Sequence, residues 1–179
     1  EVSQYLTGAI PNGKSVWYQK HMAQHNLPGA DLSWTEKLTN CFLIRDPIEV
    51  ILSYSEKYDI TSIYQLGYPQ QVLLFNHLKN KNGANVIVLD SKDILQNPKN
   101  ILQTLCREMD IPFSDKMLAW RRGQRESDGI WGQHWYGKVE KSIGFQPYQK
   151  KEEELPAKYG DIYEQCIQIY QQLFQYRII

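Results

Sequence analysis

The chain is poor in cysteine and carries no excess charge of either sign. Its three cysteines, Cys41, Cys106 and Cys166, are an odd set at wide spacing with no CxxC pair. That pattern argues against a disulfide framework or a structural zinc site, and it fits a reducing, cytoplasmic setting. Lys and Arg total 20 and Asp and Glu total 20, so no bulk field draws the chain to nucleic acid or to an anionic membrane, and neither is an expected partner. Any anion site must be local. No apolar run approaches the roughly 18 to 20 residues that cross a bilayer, and the basic, apolar, small-residue order of a signal peptide is missing at the start. What is present is 179 residues, 42% of them hydrophobic. That is enough for one sizeable core and reads as a single domain, residues 1–179.

Secondary structure alternates along the chain. Ser15 to Gln19 is rich in β-branched and aromatic residues, follows the turn Pro11-Asn12-Gly13, and predicts a strand. Cys41-Phe42-Leu43-Ile44 is short and continuously apolar, the pattern of a parallel strand covered on both faces. Asp46-Pro47-Ile48-Glu49 then combines a capping acid, a proline at the first helical position and a Glu three residues past the cap, which predicts a helix to about Tyr58. A longer helix is expected from Ile63 to Lys79, with Gly67 and Pro69 able to break it early. Asn85 to Leu89 predicts another buried strand, entered through Asn82-Gly83. Asn97-Pro98 opens a helix with Ile101, Leu102, Leu105 and Cys106 on one stripe, stopped by Ile111-Pro112. After a long aperiodic stretch from Arg121 to Phe145, Ile162, Cys166, Ile169, Tyr170 and Phe174 give a closing helix its apolar stripe. Three strands alternating with helices predict an α/β layered fold with a largely parallel sheet and no internal repeat.

Ligands of open parallel sheets bind beyond the carboxyl ends of the strands, where helix N-termini gather. Arg45 stands at that edge, and its planar guanidinium suits two phosphate oxygens at once. Ser53, seven residues past the cap Asp46, falls on the same helix face. Spacing alone equally allows Arg45 to pair with a nearby carboxylate and Ser53 to face solvent.

Ile44-Arg45-Asp46-Pro47-Ile48-Glu49-Val50-Ile51-Leu52-Ser53-Tyr54 resembles the sulfotransferase signature in which Arg, Asn or Asp, Pro, two variable residues and Val lead to Ser-Tyr. The resemblance implies that Arg45 and Ser53 bind the 3′-phosphate of 3′-phosphoadenosine 5′-phosphosulfate. Asp93 to Lys99 resembles the family's Glu-Asp-Leu turn and Asp-Pro helix start, with Ser91 where the family often has a tyrosine near the adenine. Lys20-His21 resembles the Lys-Thr-His segment, one residue shorter. It implies His21 as the base that takes the acceptor's proton and Lys20 as a charge beside the bridging oxygen, with His25 a competing candidate. Arg121-Arg122-Gly123 resembles the family's Arg-Lys-Gly phosphate loop, and Asp128-Gly129-Ile130-Trp131 its trailing Gly-Asp-Trp. Trp131, His134, Trp135 and Tyr136, with Ser142 to Phe145, resemble a group of bacterial sulfotransferase-like proteins; a lid or acceptor pocket is one expectation for the cluster, and core packing explains it equally well.

The resemblance implies a P-loop NTPase-like three-layer sandwich that lacks its first strand–loop–helix unit. Gly8 to Ser15 has P-loop spacing only by count, because Ser15 leads toward a predicted strand and a phosphate loop needs a helix N-terminus. The chain starts at Glu1, and the expectation is that it is a portion of a longer protein. The implied reaction is metal-free transfer of a sulfuryl group to a hydroxyl or amine of a small molecule. The rival readings are a P-loop kinase-like protein, which needs a Walker loop and a magnesium-binding acid, and a non-catalytic nucleotide-binding interaction domain.

Overall fold

The computed structural model describes residues 1–82, 86–125, 136–150 and 153–179, apart from the side chains of Asn82 and Lys138. In chain order the elements are α1 (Val2–Leu6), β1 (Cys41–Ile44), α2 (Pro47–Ser55), α3 (Tyr68–Asn82), β2 (Ile87–Asp90), α4 (Ser91–Gln96), α5 (Pro98–Glu108), α6 (Gly137–Glu140) and α7 (Gly160–Phe174). They fall into two compact units, one made of Glu1–Leu89 with Lys151–Arg177 and the other of Asp90–Lys150 with Ile178–Ile179.

In the first unit β1 and β2 pair as a small parallel sheet, and Val88 forms a further isolated parallel bridge to Arg177. One face of β1 supplies the core: Phe42 and Ile44 are buried among Phe75, Leu78, Val88 and Leu173, with Phe42 and Phe75 meeting edge-on at 5.9 Å. Each such side chain contributes about 1.5 to 3 kcal/mol by leaving water. A second cluster joins Ile51 of α2 to Ile60 and Tyr159, with Leu66 and Ile162 packed against it. The mixed helix and sheet with parallel pairing agrees with the α/β class expected from the sequence.

Several local expectations change. Cys41 and Leu43 are exposed, so β1 is covered on one face, not two. Residues 15–19 form no strand. Val16 and Tyr18 are exposed, Trp17 packs edge-on against Tyr5 at 5.4 Å, and the Gln19 amide donates to the Leu6 carbonyl at 2.9 Å. β-Branched and aromatic residues favour a strand only where a sheet offers neighbours to pack on, and here α1 is the neighbour instead. The preceding turn at Pro11–Gly13 is present, and irregular chain without a helix follows it. α2 ends at Ser55, short of Tyr58. The long helix is cut at Gly67, whose φ of 82° is left-handed, into a 3₁₀ turn at Ile63–Leu66 and α3. Gly83 and Asn85 of the expected turn and strand start lie outside the described residues.

In the second unit the Asp90 carboxylate accepts from the Lys92 and Asp93 amides to open α4, and Asn97 caps α5. α5 buries Ile101, Thr104 and Cys106. Beyond it residues 119–123 run back against residues 140–144. Trp120 N donates to the Ile143 carbonyl at 3.0 Å, Gly123 N donates to the Glu140 carbonyl at 2.9 Å, and Ala119 bridges Gly144 in antiparallel sense. The Trp120 indole donates to the Ser142 hydroxyl at 2.9 Å and its ring meets Phe145 edge-on.

Candidate functional site

The sequence of β1 and α2 places a cation at the carboxyl end of a parallel strand. Asp46 leaves β1 in extended conformation, its carboxylate accepts from the Ile48 amide at 2.9 Å, and Pro47 starts the helix with its φ already fixed. Arg45 immediately precedes this cap. Its Nε donates to Glu49 Oε2 at 2.7 Å, one helical turn on. The pair is asymmetric, since the Arg45 side chain is 46% exposed and that of Glu49 only 7%. Glu49, legible in the sequence as part of a helix start, therefore also anchors the arginine.

The backbone at Arg45 is fixed from α3. The Tyr68 hydroxyl donates to the Arg45 carbonyl at 2.8 Å, and the Gln71 side-chain amide donates to the Leu43 carbonyl at 2.9 Å. Tyr68 is buried, and that burial, with the nearby Cys166 and Asp46 adding to it, drives its phenol far above the ordinary tyrosine value of 10.0. It stays protonated and remains a donor at any pH the fold meets. Nothing in the sequence singled out Tyr68 or Gln71; both lie in the first turn of a helix whose start was expected five residues earlier.

Ser53 is exposed on α2. The alternative left open by spacing is thus realised in part: Arg45 does pair with a carboxylate and Ser53 does face solvent. Arg45 nonetheless spends only Nε, and among the described residues its two terminal nitrogens carry no hydrogen bond. A half-exposed guanidinium with two unused donor nitrogens, and a hydroxyl eight residues on, are groups that suit a phosphate.

Lys20 and His21 are exposed in irregular chain. His21 Nε2 lies 3.2 Å from Gln19 Oε1, whose own amide is held by Leu6, and the ring sits 5.6 Å from Trp34. The Gln19 oxygen can only accept, so this contact is a hydrogen bond when the ring carries its proton on Nε2. The same stretch continues into the 3₁₀ turn Ala23–His25, which docks on Gly67: a side chain at Gly67 would meet the Gln24 amide at 3.2 Å and the Ala23 methyl at 3.3 Å. Gly67 adjoins Tyr68, so the segment after His21 and the Arg45 carbonyl are tied to the same helix start. His25 is exposed at the end of its turn.

Arg121, Arg122 and Gly123 belong to the second unit. All three are exposed, and Gly123 has a φ of 107°, a conformation side chains rarely adopt. Of the aromatic cluster, Trp131, His134 and Trp135 lie outside the described residues, as does Asp128 to Trp131. Ser142 is taken up by Trp120. Among the described residues no group of three or more His, Cys, Asp or Glu is arranged to hold a metal, and no helix is long and apolar enough to cross a membrane.

Comparison with known proteins supplies the family. Branched-chain-amino-acid aminotransferase-like protein 2 of Arabidopsis thaliana is 30% identical over 160 residues, 89% of this chain and 28% of that protein. Branched-chain-amino-acid aminotransferase-like protein 1 of the same plant is 29% identical over 157 residues, 88% of this chain and 28% of that protein. The chain thus spans little more than a quarter of these curated relatives. No solved structure matches it. The sulfotransferase domain family matches residues 5–175, nearly the whole chain, and the chain belongs to that family.

Proposed function

We propose that this domain transfers a sulfuryl group from 3′-phosphoadenosine 5′-phosphosulfate to a hydroxyl or amine of a small molecule. The observation that carries the reading is Arg45 itself. It is a guanidinium at the carboxyl end of a parallel strand, anchored at Nε and at its carbonyl, with its side chain 46% exposed and its terminal nitrogens free of hydrogen bonds among the described residues. In this account Arg45 and Ser53 hold the donor's 3′-phosphate, and Arg121, Arg122 and Gly123 add to donor affinity. His21 takes the acceptor's proton while Lys20 neutralises charge on the bridging oxygen. The acceptor atom forms a bond to sulfur as the bond from sulfur to the donor's phosphate oxygen breaks. Positioning and charge stabilisation lower the barrier.

The same reading assigns β1 and β2 to the sheet of a three-layer P-loop-type sandwich, takes residues 1–179 as one functional domain, and sets the chemistry in the cytoplasm. Three cysteines outside any disulfide support that setting. The experiment is a transfer assay with labelled donor and a panel of phenols, alcohols and amines, run beside donor-product binding. Sulfated product that disappears with His21→Ala supports the assignment; donor binding without product from any acceptor favours a nucleotide-binding interaction domain.

A further inference from the structure

We infer that Glu49 is a positioning residue for the 3′-phosphate. It orients Arg45 so that the two terminal nitrogens, and not the Nε edge, meet the ligand; the inference rests on the donor reading above. A guanidinium offers two forks of donors, one along Nε and one across its end. The 2.7 Å bond to Glu49 consumes the Nε donor and leaves the end fork without a hydrogen bond among the described residues. Exposed arginines ordinarily sample many rotamers, and an exposed (i, i+4) ion pair fixes little. Here the anchoring carboxylate is 7% exposed on a helix capped by Asp46, and the Arg45 carbonyl is held by buried Tyr68. The guanidinium is therefore constrained at both ends of its side chain while that side chain stays half exposed.

The opposite role for Glu49 is also chemically sensible. A carboxylate beside the binding cation repels an incoming phosphate and weakens its capture. The two roles predict opposite signs on removing the charge. As positioner, Glu49 raises selectivity for the 3′-phosphate; as competitor, it lowers it.

The test measures affinities of the full chain for 3′-phosphoadenosine 5′-phosphate and for adenosine 5′-phosphate, which lacks the 3′-phosphate, and takes their ratio. In Glu49→Gln, which keeps the side chain's size and an acceptor oxygen, the ratio falls about three- to fivefold. In Glu49→Ala it falls about tenfold, the scale of one charge-assisted contact. Affinity for adenosine 5′-phosphate stays constant in both. Arg45→Lys loses the ratio as fully as Arg45→Ala, because a lone ammonium settles on Glu49 and has no second fork. A ratio that rises or holds in the Glu49 variants, a parallel fall for both nucleotides, or a ratio preserved in Arg45→Lys overturns the inference. A wild-type chain that prefers neither nucleotide removes the donor reading, and the inference with it. Far-ultraviolet circular dichroism of each variant separates a lost fork from a lost fold.

Discussion

The buried hydroxyl of Tyr68 donates a 2.8 Å hydrogen bond to the backbone carbonyl of Arg45, joining the start of α3 to the end of β1. Tyr68→Phe removes that carbonyl's partner and is expected to cost about 0.5 to 1.5 kcal/mol in urea denaturation. The pH dependence has a definite sign. The phenol is raised in the fold above its unfolded value of 10.0, so its contribution is complete below pH 10 and declines as pH rises beyond it. Wild type loses stability from pH 10 upward more steeply than Tyr68→Phe, as paired denaturation curves at pH 8 and 10.5 will record.

Gly67→Ala places a methyl group on a backbone with φ of 82° and against the Gln24 amide at 3.2 Å. The left-handed conformation alone costs about 1 to 2 kcal/mol. The close approach adds to it by loosening the turn at Ala23–His25. Chemical denaturation gives the first effect, and faster limited proteolysis near residues 20–26 gives the second.

The cysteines separate by environment. Cys166 is fully buried and its thiol is pushed up to about 11 by desolvation; desolvation raises the Cys41 thiol as well, but Cys41 is the exposed member of the three and the one a reagent can reach. Thiolate is the reactive form. At pH 8 a thiol reagent is expected to label Cys41 first and to reach Cys106 and Cys166 only after unfolding. Peptide mapping of the labelled sites checks this; early labelling of Cys166 contradicts the packing of α7.

Leu173 fills the first core cluster with no exposure, although the sequence stripe on α7 was read through Ile169, Tyr170 and Phe174. Leu173→Ala is expected to cost about 2 to 5 kcal/mol, the range for large-to-small changes in a packed core. The matched control is Gln172→Ala at an exposed position of the same helix, whose thermal midpoint should shift far less.

The part of the fold legible in the sequence is the part where local chemistry and tertiary context agree. Asp46 and Pro47 wrote the start of α2 because capping is local, and Gly67 ended the turn before α3 for the same reason. Residues 15–19 misled because β propensity expresses a packing surface, and the surface here is α1. The candidate site was half legible. Arg45 and Ser53 stand on one short motif, so their interval survives without knowledge of the fold. Tyr68 and Gln71 act on β1 from 23 and 28 residues away, and no pattern in a single sequence signals such a contact. Glu49 was legible as a residue but not in its partner, since the capping position and the (i, i+4) position to Arg45 coincide.

The central claim is that Arg45 grips a phosphate of the sulfuryl donor. Calorimetric titration with 3′-phosphoadenosine 5′-phosphate tests it most directly, on wild type, Arg45→Ala and the double variant Arg45→Ala/Glu49→Gln. The double variant controls for the buried carboxylate that the single change separates from its arginine. Binding by wild type that weakens at least about tenfold in both variants, the value of one desolvated charge-assisted contact, is the predicted result. Binding of equal strength in all three proteins contradicts the account and sends the phosphate elsewhere.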